Sequence, residues 1–330
     1  MRTSKLQSGR LLAFGAGLAF AMGASPVQAA SYVVQPVVFP GDTAFTQLLG
    51  INNAGTIAGF HGAVTAQGFT LTLPNTFTGQ NFPGSAMSMV TAINGAGSTA
   101  GIFQDTAGTT HGYTYIGGTF KTVDQSGTVF NQALGINSAN TTVGYFALDK
   151  AAGQVGQSAY SQSGGLFTSI NALLPANQNS QAVGINNAGN VVGFYLPTTT
   201  TSIGFLDIGG TISTLDPFGS AFTQALGISN NGEVVGFYVD ANNVQHGYTE
   251  IGGTFASFDP AGSMNTTING VNDSGQIVGF YTDANDNVIG FVGTPAAPVP
   301  EPATISLFVA GLLGLGASRC GRRAGPAPRA

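Results

Sequence analysis

The chain contains no tryptophan, one cysteine and few charges: Asp, Glu, Lys and Arg make up 7% of its 330 residues, against about 25% in an ordinary soluble domain. Solubility must therefore rest on Gly, Asn, Thr, Ser and Gln. The scarcity is sharpest between Ser31 and Pro298. There the cations are Lys121 and Lys150, set against eleven Asp plus Glu233 and Glu250, for a net charge of -11 and no arginine. Such a body excludes nucleic-acid binding, because affinity for phosphate needs clustered Lys and Arg. Strong helix formers do not fill the middle either, so long helices are excluded. The single cysteine, Cys320, lies near the C-terminus. The body can therefore form no disulfide, and its stability must come from packing. Fifty glycines and many β-type residues remain, the composition of a Gly-rich all-β protein.

Both ends read as addresses. Arg2, Lys5 and Arg10 precede an apolar run from Leu11 to Gly23, and small residues follow up to Val27-Gln28-Ala29. This is the layout of a secretory signal peptide over 1–29, cleaved after Ala29 or at the neighbouring Ala30. The apolar run is shorter than the roughly 20 residues that span a bilayer. With no twin arginine, the general secretion machinery is the expected route. At the other end, Pro300-Glu301-Pro302 is followed by an apolar stretch from Ile305 to Ala317 and then by Arg319, Arg322 and Arg323. The stretch is marginal for spanning, and the arginines hold the tail on the cytoplasmic side. This terminus resembles the PEP-CTERM sorting signal of Gram-negative bacteria, over about residues 299–323. The resemblance implies export across the inner membrane and transient membrane insertion of a short helix. It also implies an exosortase as partner, cleavage near the triplet, and release to the cell surface or extracellular matrix. Seven further residues after Arg323 depart from the pattern. An ordinary C-terminal anchor is the alternative, and would leave the protein in the membrane.

The intervening body, residues 30–298, contains six aligned segments. They are GINNAGTIAGF at Gly50, AINGAGSTAGI at Ala92, GINSANTTVGY at Gly135, GINNAGNVVGF at Gly184, GISNNGEVVGF at Gly227 and GVNDSGQIVGF at Gly270. A period near 43 residues with β-type composition matches a four-stranded propeller blade rather than a helical repeat. Each unit parses into strand a, ending in Gly-Ile-Asn; strand b, the Val-Val-Gly-Phe run; strand c, as in His111-Gly112-Tyr113; and strand d after a Gly-Gly corner. The turn between a and b ends in Gly55, Gly97, Gly189, Gly232 or Gly275, and in Asn140 in the third unit. Asn best tolerates positive φ, so this position is expected to be left-handed. The sixth unit lacks a strand d, and Tyr32 to Gly41 has the missing pattern. An N-terminal strand that completes the last blade would close a six-bladed β-propeller and leave no free sheet edge. An open solenoid or sandwich array is the alternative, and would need capping repeats that the sequence does not show.

The units also resemble the HAF family of extracellular repeats, through His111-Gly112-Tyr113 and His246-Gly247-Tyr248. Four units lack the His. The resemblance implies an exported repetitive protein and transfers no chemistry to particular residues.

Candidate chemistry competes throughout with plainer roles. Asp124, Asp216 and Asp259 occupy one repeat-equivalent position, and Asp105, Asp240 and Asp283 another; recurrence of this kind favours a structural role such as an Asx turn. No pair of unique acids suited to a glycosidase stands out, and no nucleophile elbow or phosphate loop appears. Asp240 with Asn242, and Asp283 with Asn285 and Asn287, space oxygen ligands at alternate positions, as calcium loops begin, but without the terminal Glu of an EF-hand. A polar hairpin turn is the competing reading. The pairs Phe194-Tyr195, Phe237-Tyr238 and Phe280-Tyr281 should each put one ring in the core and one outside. The strand b glycines are expected to let sheets approach closely. The third unit alone is longer, through Ala147 to Ser163, and is where a unique site would lie if there is one; an unstructured insertion is the plainer reading. The reading these features favour is a non-catalytic surface or biofilm-matrix component associated with exopolysaccharide, with no cofactor. An extracellular polysaccharide-acting enzyme and a calcium-dependent adhesin are the rivals.

Overall fold

The computed structural model describes residues 31–148, 156–175 and 178–296. The expected signal peptide with Ala29 and Ala30, the sorting segment with Pro300, Glu301, Pro302, Arg319, Arg322 and Arg323, and Lys150 all lie outside the described residues. Among the described residues the regular elements are strands and two single-turn 3-10 helices, and no helix is long and apolar enough to cross a membrane.

Strand β1 (Tyr32–Val37) opens the chain. The first unit is β2 (Thr46–Ile51), β3 (Thr56–His61), β4 (Gln67–Thr72) and β5 (Thr76–Gly79). The second is β6 (Met87–Ile93), β7 (Thr99–Gln104), β8 (Thr110–Ile116) and β9 (Thr119–Val123). The third is β10 (Phe130–Ile136), β11 (Thr142–Ala147), β12 (Ser158–Ser163) and β13 (Leu166–Ser169). The fourth is β14 (Asn179–Ile185), β15 (Val191–Leu196), β16 (Ile203–Ile208) and β17 (Thr211–Leu215). The fifth is β18 (Thr223–Ile228), β19 (Val234–Val239), β20 (Gln245–Ile251) and β21 (Thr254–Phe258). The sixth is β22 (Asn265–Val271), β23 (Ile277–Thr282) and β24 (Val288–Pro295).

Each unit is an antiparallel meander. In the sixth, β1 takes the outer place against β24, from Tyr32 opposite Pro295 to Val37 opposite Gly290. The chain's first described strand thus completes its last sheet. The expectation of six separate blades needs one correction: four sheets of four strands stand alone, while the second and third units form one eight-stranded sheet. A single parallel pairing, Phe130 opposite Thr110, makes that junction. Phe45 with Val288, and Ser202 with Phe222, are parallel bridges of the same kind between other neighbouring units. The merger is therefore one well-formed instance of a contact that recurs around the ring.

Position in the sheet follows from patterning. Strand β15 is buried along Val191-Val192-Gly193-Phe194-Tyr195 and reads as a continuous apolar run, as a strand covered on both faces must. Innermost strands alternate, as in β18, and outer strands such as β5 are mostly exposed. Six apolar clusters result, each shared by two successive units. Ala58 packs with Val90 and Ile93, Val123 with Ala133 and Tyr160, and Val192 with Ala225 and Val234. The cluster of Val37, Leu48, Phe69, Val278 and Val292 joins the sixth unit to the first. At about 1.5–3 kcal/mol per buried aliphatic or Phe side chain, these inter-unit cores hold the ring. With six innermost strands converging on one axis and the last sheet closed by the first strand, the fold is an all-β propeller.

Candidate functional site

The concavity that all six units share is the axial channel, a cavity of about 280 Å³. Every innermost strand carries a β-bulge at one repeat position, between Leu48 and Gly50 in the first unit and between Ile268 and Gly270 in the last. The extra residue of each bulge, Leu49, Thr91, Leu134, Val183, Leu226 or Asn269, lines the channel, so bulges aim side chains at the axis. The residue after each bulge touches its neighbour's backbone. A Cβ on Gly227 would lie 3.0 Å from the Gly270 Cα, and one on Gly270 3.1 Å from the Gly50 Cα. Five of the six units have glycine here, Ala92 being the exception, and the close approach between units disfavours any larger side chain. The strand b glycines were expected in that role and have another. A Cβ on Gly59 or Gly236 would strike the neighbouring innermost strand's carbonyl and crowd the ring of Phe69 or Tyr248 in the same sheet.

One mouth of the channel is a ring of asparagines. Asn52 donates its Nδ2 to the Asn94 carbonyl (3.0 Å), Asn94 to Asn137 (2.9 Å), Asn137 to Asn186 (3.2 Å) and Asn186 to Ser229 (3.1 Å). Asn272 donates to the Asn52 carbonyl at 3.2 Å and closes the circle. The gap falls at Ser229, whose hydroxyl instead accepts from the Glu233 N–H at 3.1 Å. Each Oδ1 in turn accepts two N–H groups of its own turn, as Asn52 does from Ala54 and Thr56. Just outside lies Asp273, where other units have Asn53, Gly95, Ser138, Asn187 and Asn230. It accepts from the Asn53 amide at 2.6 Å and from the Asn230 N–H and amide at 2.8 and 2.9 Å. Partial burial pushes this carboxyl up, and the bonds from Asn230 and Asn53 outweigh it, leaving the group below its ordinary range. Asp273 is the one carboxylate of the lining at this mouth, it breaks the repeat, and sequence reasoning passed over it. Comparing the fourth residue of each Gly-Ile-Asn-x group would have found it.

The opposite mouth carries Gln132, Gln181 and Gln224 from neighbouring innermost strands. It continues into a groove of about 530 Å³ lined by Gln157, Gln178, Asn179, Pro197, Thr198 and Phe222 among others. Neither the channel nor this groove has a charged lining residue.

The sequence-predicted positions lie elsewhere. Asp240 Oδ1 accepts the N–H groups of Asn242 and Val244 at 2.9 and 2.8 Å, and Asp283 Oδ1 those of Asn285 and Asn287 at 2.8 and 2.9 Å. The amides of Asn242 and Asn287 donate back to the second oxygens. Both carboxyls are held below their ordinary range, Asp240 first by the Val244 N–H and Asp283 first by the Asn287 amide. The oxygens spaced for a cation are thus directed into their own turns. Among the described residues no three His, Cys, Asp or Glu are grouped to hold a metal ion.

Asp124 and Asp259 were expected to make Asx turns. They accept instead from His111 and His246 Nδ1, each at 2.7 Å, while Asp105 and Asp240 face the other ring nitrogens at 3.5 and 3.6 Å. Each His clamps the end of strand d to the b–c loop of its unit. The aromatic pairs do not divide into core and exterior: Phe194 and Tyr195 are both buried, and the pairs at 237–238 and 280–281 are half-buried. A perturbed acid sits away from the channel, where burial and then Glu250 raise Glu233 against an opposing Tyr32 hydrogen bond. Glu250 meanwhile accepts the Gly253 N–H at 2.5 Å and caps that turn.

The PEP-CTERM protein-sorting motif matches residues 298–323. It marks the chain for export and for exosortase-mediated sorting to the surface of a Gram-negative cell. No curated protein matches. Similar solved structures include two of the lectin from Aleuria aurantia. One, bound to Fucalpha1-6GlcNAc, is 14% identical with a TM-score of 0.48, covering 79% of this chain and 99% of that one. The other, titled a six-bladed propeller, is 13% identical with a TM-score of 0.46, covering 78% and 97%. Trypanosoma rangeli sialidase is 8% identical with a TM-score of 0.42, covering 91% and 59%.

Proposed function

We propose that the protein is a non-catalytic surface or matrix component, released by an exosortase and associated with exopolysaccharide. Its ring is six-bladed if the eight-stranded sheet is counted as two blades. The observation that carries the reading is the channel chemistry. From the Gln mouth inward the lining is amide, hydroxyl, aliphatic, glycine and the Phe194 ring, and the one carboxylate at the Asn mouth accepts three hydrogen bonds from its neighbours. A glycosidase needs two carboxyls flanking a bond, roughly 5–9.5 Å apart, one of them raised to act as acid. Asp273 is shifted the opposite way.

The test incubates the exported, processed protein with exopolysaccharide from its own host and measures co-sedimentation and new reducing ends. Co-sedimentation without new reducing ends is expected. Release of reducing ends that Asp273→Asn or Glu233→Gln abolishes would establish the enzyme reading instead.

A further inference from the structure

We infer that the groove between the fourth and fifth units binds an uncharged saccharide chain. The inference rests on the reading above and adds a place and a ligand class. Its cavity, about 530 Å³, has the size of a small-molecule site.

At two points the fourth unit differs from those of its counterparts that carry Phe or Asp there, and both points line this groove. At the start of the innermost strand the first, third and fifth units have Ala44-Phe45, Val129-Phe130 and Ala221-Phe222, the second Ala86-Met87 and the sixth Met264-Asn265; the fourth has Gln178-Asn179, the one pair with two amides. After the second strand, where the second, fifth and sixth units carry Asp105, Asp240 and Asp283, the fourth has Pro197, followed by Thr198 and Thr199. The first departure turns an apolar surface into a hydrogen-bonding one. The second removes the carboxylate. An ionised ligand would lose its hydration here and meet no counter-charge. A chain of neutral hydroxyls would meet donors and acceptors in both directions, since every amide supplies each. Phe194 and Phe222 add apolar surface for the C–H faces of a sugar ring.

The amides are also held in place. Gln181 Nε2 donates to Gln157 Oε1 at 2.9 Å, and Gln157 is 5% exposed. Asn179 Oδ1 accepts the N–H groups of Gly156 and Gln157 at 2.9 and 3.1 Å. Among the described residues the Gln178 and Gln224 side chains make no hydrogen bond, so both amides are open to a ligand.

Calorimetric titration of the exported, processed protein with cellohexaose, laminarihexaose, maltohexaose and dextran, and with alginate as the polyuronate, tests this. At least one neutral probe is expected to bind and alginate is not. Gln178→Ala with Gln224→Ala is expected to weaken binding at least about tenfold, the factor that corresponds to roughly 1.4 kcal/mol, with Tm unchanged. Gln178→Ala alone, outside the channel, gives a smaller loss and serves if the double variant folds poorly. No binding of any neutral probe, equal binding of alginate, or binding that the folded variants retain would overturn the inference. Matrix association of the whole protein is scored separately. If the double variant stays in the matrix and binds glycan as before, the groove is wrong and the surface reading stands. If wild-type protein is absent from the matrix yet loses glycan binding on substitution, the reverse holds.

Discussion

Asn52 and its counterparts do three things with one side chain: each closes two bonds within its own turn and one to the next unit. Replacing Asn272 by Ala removes all three, together with its amide bond to Gln276 Oε1, and opens the ring where its two ends meet. At about 0.5–1.5 kcal/mol net per bond, Asn272→Ala should cost roughly 2–4 kcal/mol, read as a fall in the urea midpoint. The gap at Ser229 offers the converse. Ser229→Asn supplies the missing donor toward the Asn272 carbonyl and should add about 1 kcal/mol. Both outcomes depend on the same hydrogen-bond circle, so opposite signs are required of the two variants.

The His246 clamp gives a pH dependence of definite sign. Burial lowers this imidazole, but Asp259 and then Asp240 raise it further, leaving it above its ordinary 6.5. A raised folded pKa contributes stability that is full below about 6.5 and is lost as pH rises through the folded value. Asp240 is lowered from 3.8, so its contribution is present above that value and is lost as pH falls through the lower folded one. Tm should therefore be highest between about pH 4 and 6.5 and decline above it, and His246→Gln should flatten the upper decline. An unchanged upper limb in that variant would dismiss the clamp. The recurrence of these Asp and His residues was legible in the sequence. Their partnership was not, because His246 and Asp259, 13 positions apart, are joined through a Gly-Gly corner whose register fixes which side chains meet.

Among elements, β1 carries the topology. It provides the outer strand of the last sheet, and Val37, 5% exposed, enters the core shared by the sixth and first units. Val37→Asp would bury an unpaired carboxylate beside Leu48 and Val292 and should cost at least about 3 kcal/mol, with aggregation through the freed β24 edge. Hydrogen exchange at Val292 and Thr294, whose N–H groups face β1, would report that opening first. The closing strand was readable because Tyr32 to Gly41 repeats the strand d pattern, and the positive φ expected at Asn140 is present at 59°. The bulges were not readable. An extra residue ahead of Gly50 or Gly227 looks like ordinary alternation until pairing with β3 or β19 shows the register shift. Missing them meant missing that Leu49 and Leu226 face the axis and line the channel.

For the molecule as a whole, the sequence revealed address and period more clearly than site. Repeat symmetry shows what is common to the units, while the groove arises from where the fourth departs from it, at Gln178-Asn179 and Pro197. Those departures become meaningful once the fifth unit's Phe222 and Gln224 stand beside them. Whole-molecule stability should be indifferent to calcium, since the Asp240 and Asp283 oxygens already accept their own turns' N–H groups. Adding calcium to millimolar levels should leave Tm unchanged, whereas a ligand bound only by the folded form would raise it.

The most direct test of a propeller released from a C-terminal sorting signal is the intact mass of the extracellular protein from an exporting Gram-negative host, with and without its exosortase. The expected result is a body lacking the first 29 or 30 residues and truncated near Pro300-Glu301-Pro302, found outside the membrane fraction when the exosortase is present. A mature protein that keeps Arg319, Arg322 and Arg323 and stays in the membrane in both hosts would contradict it.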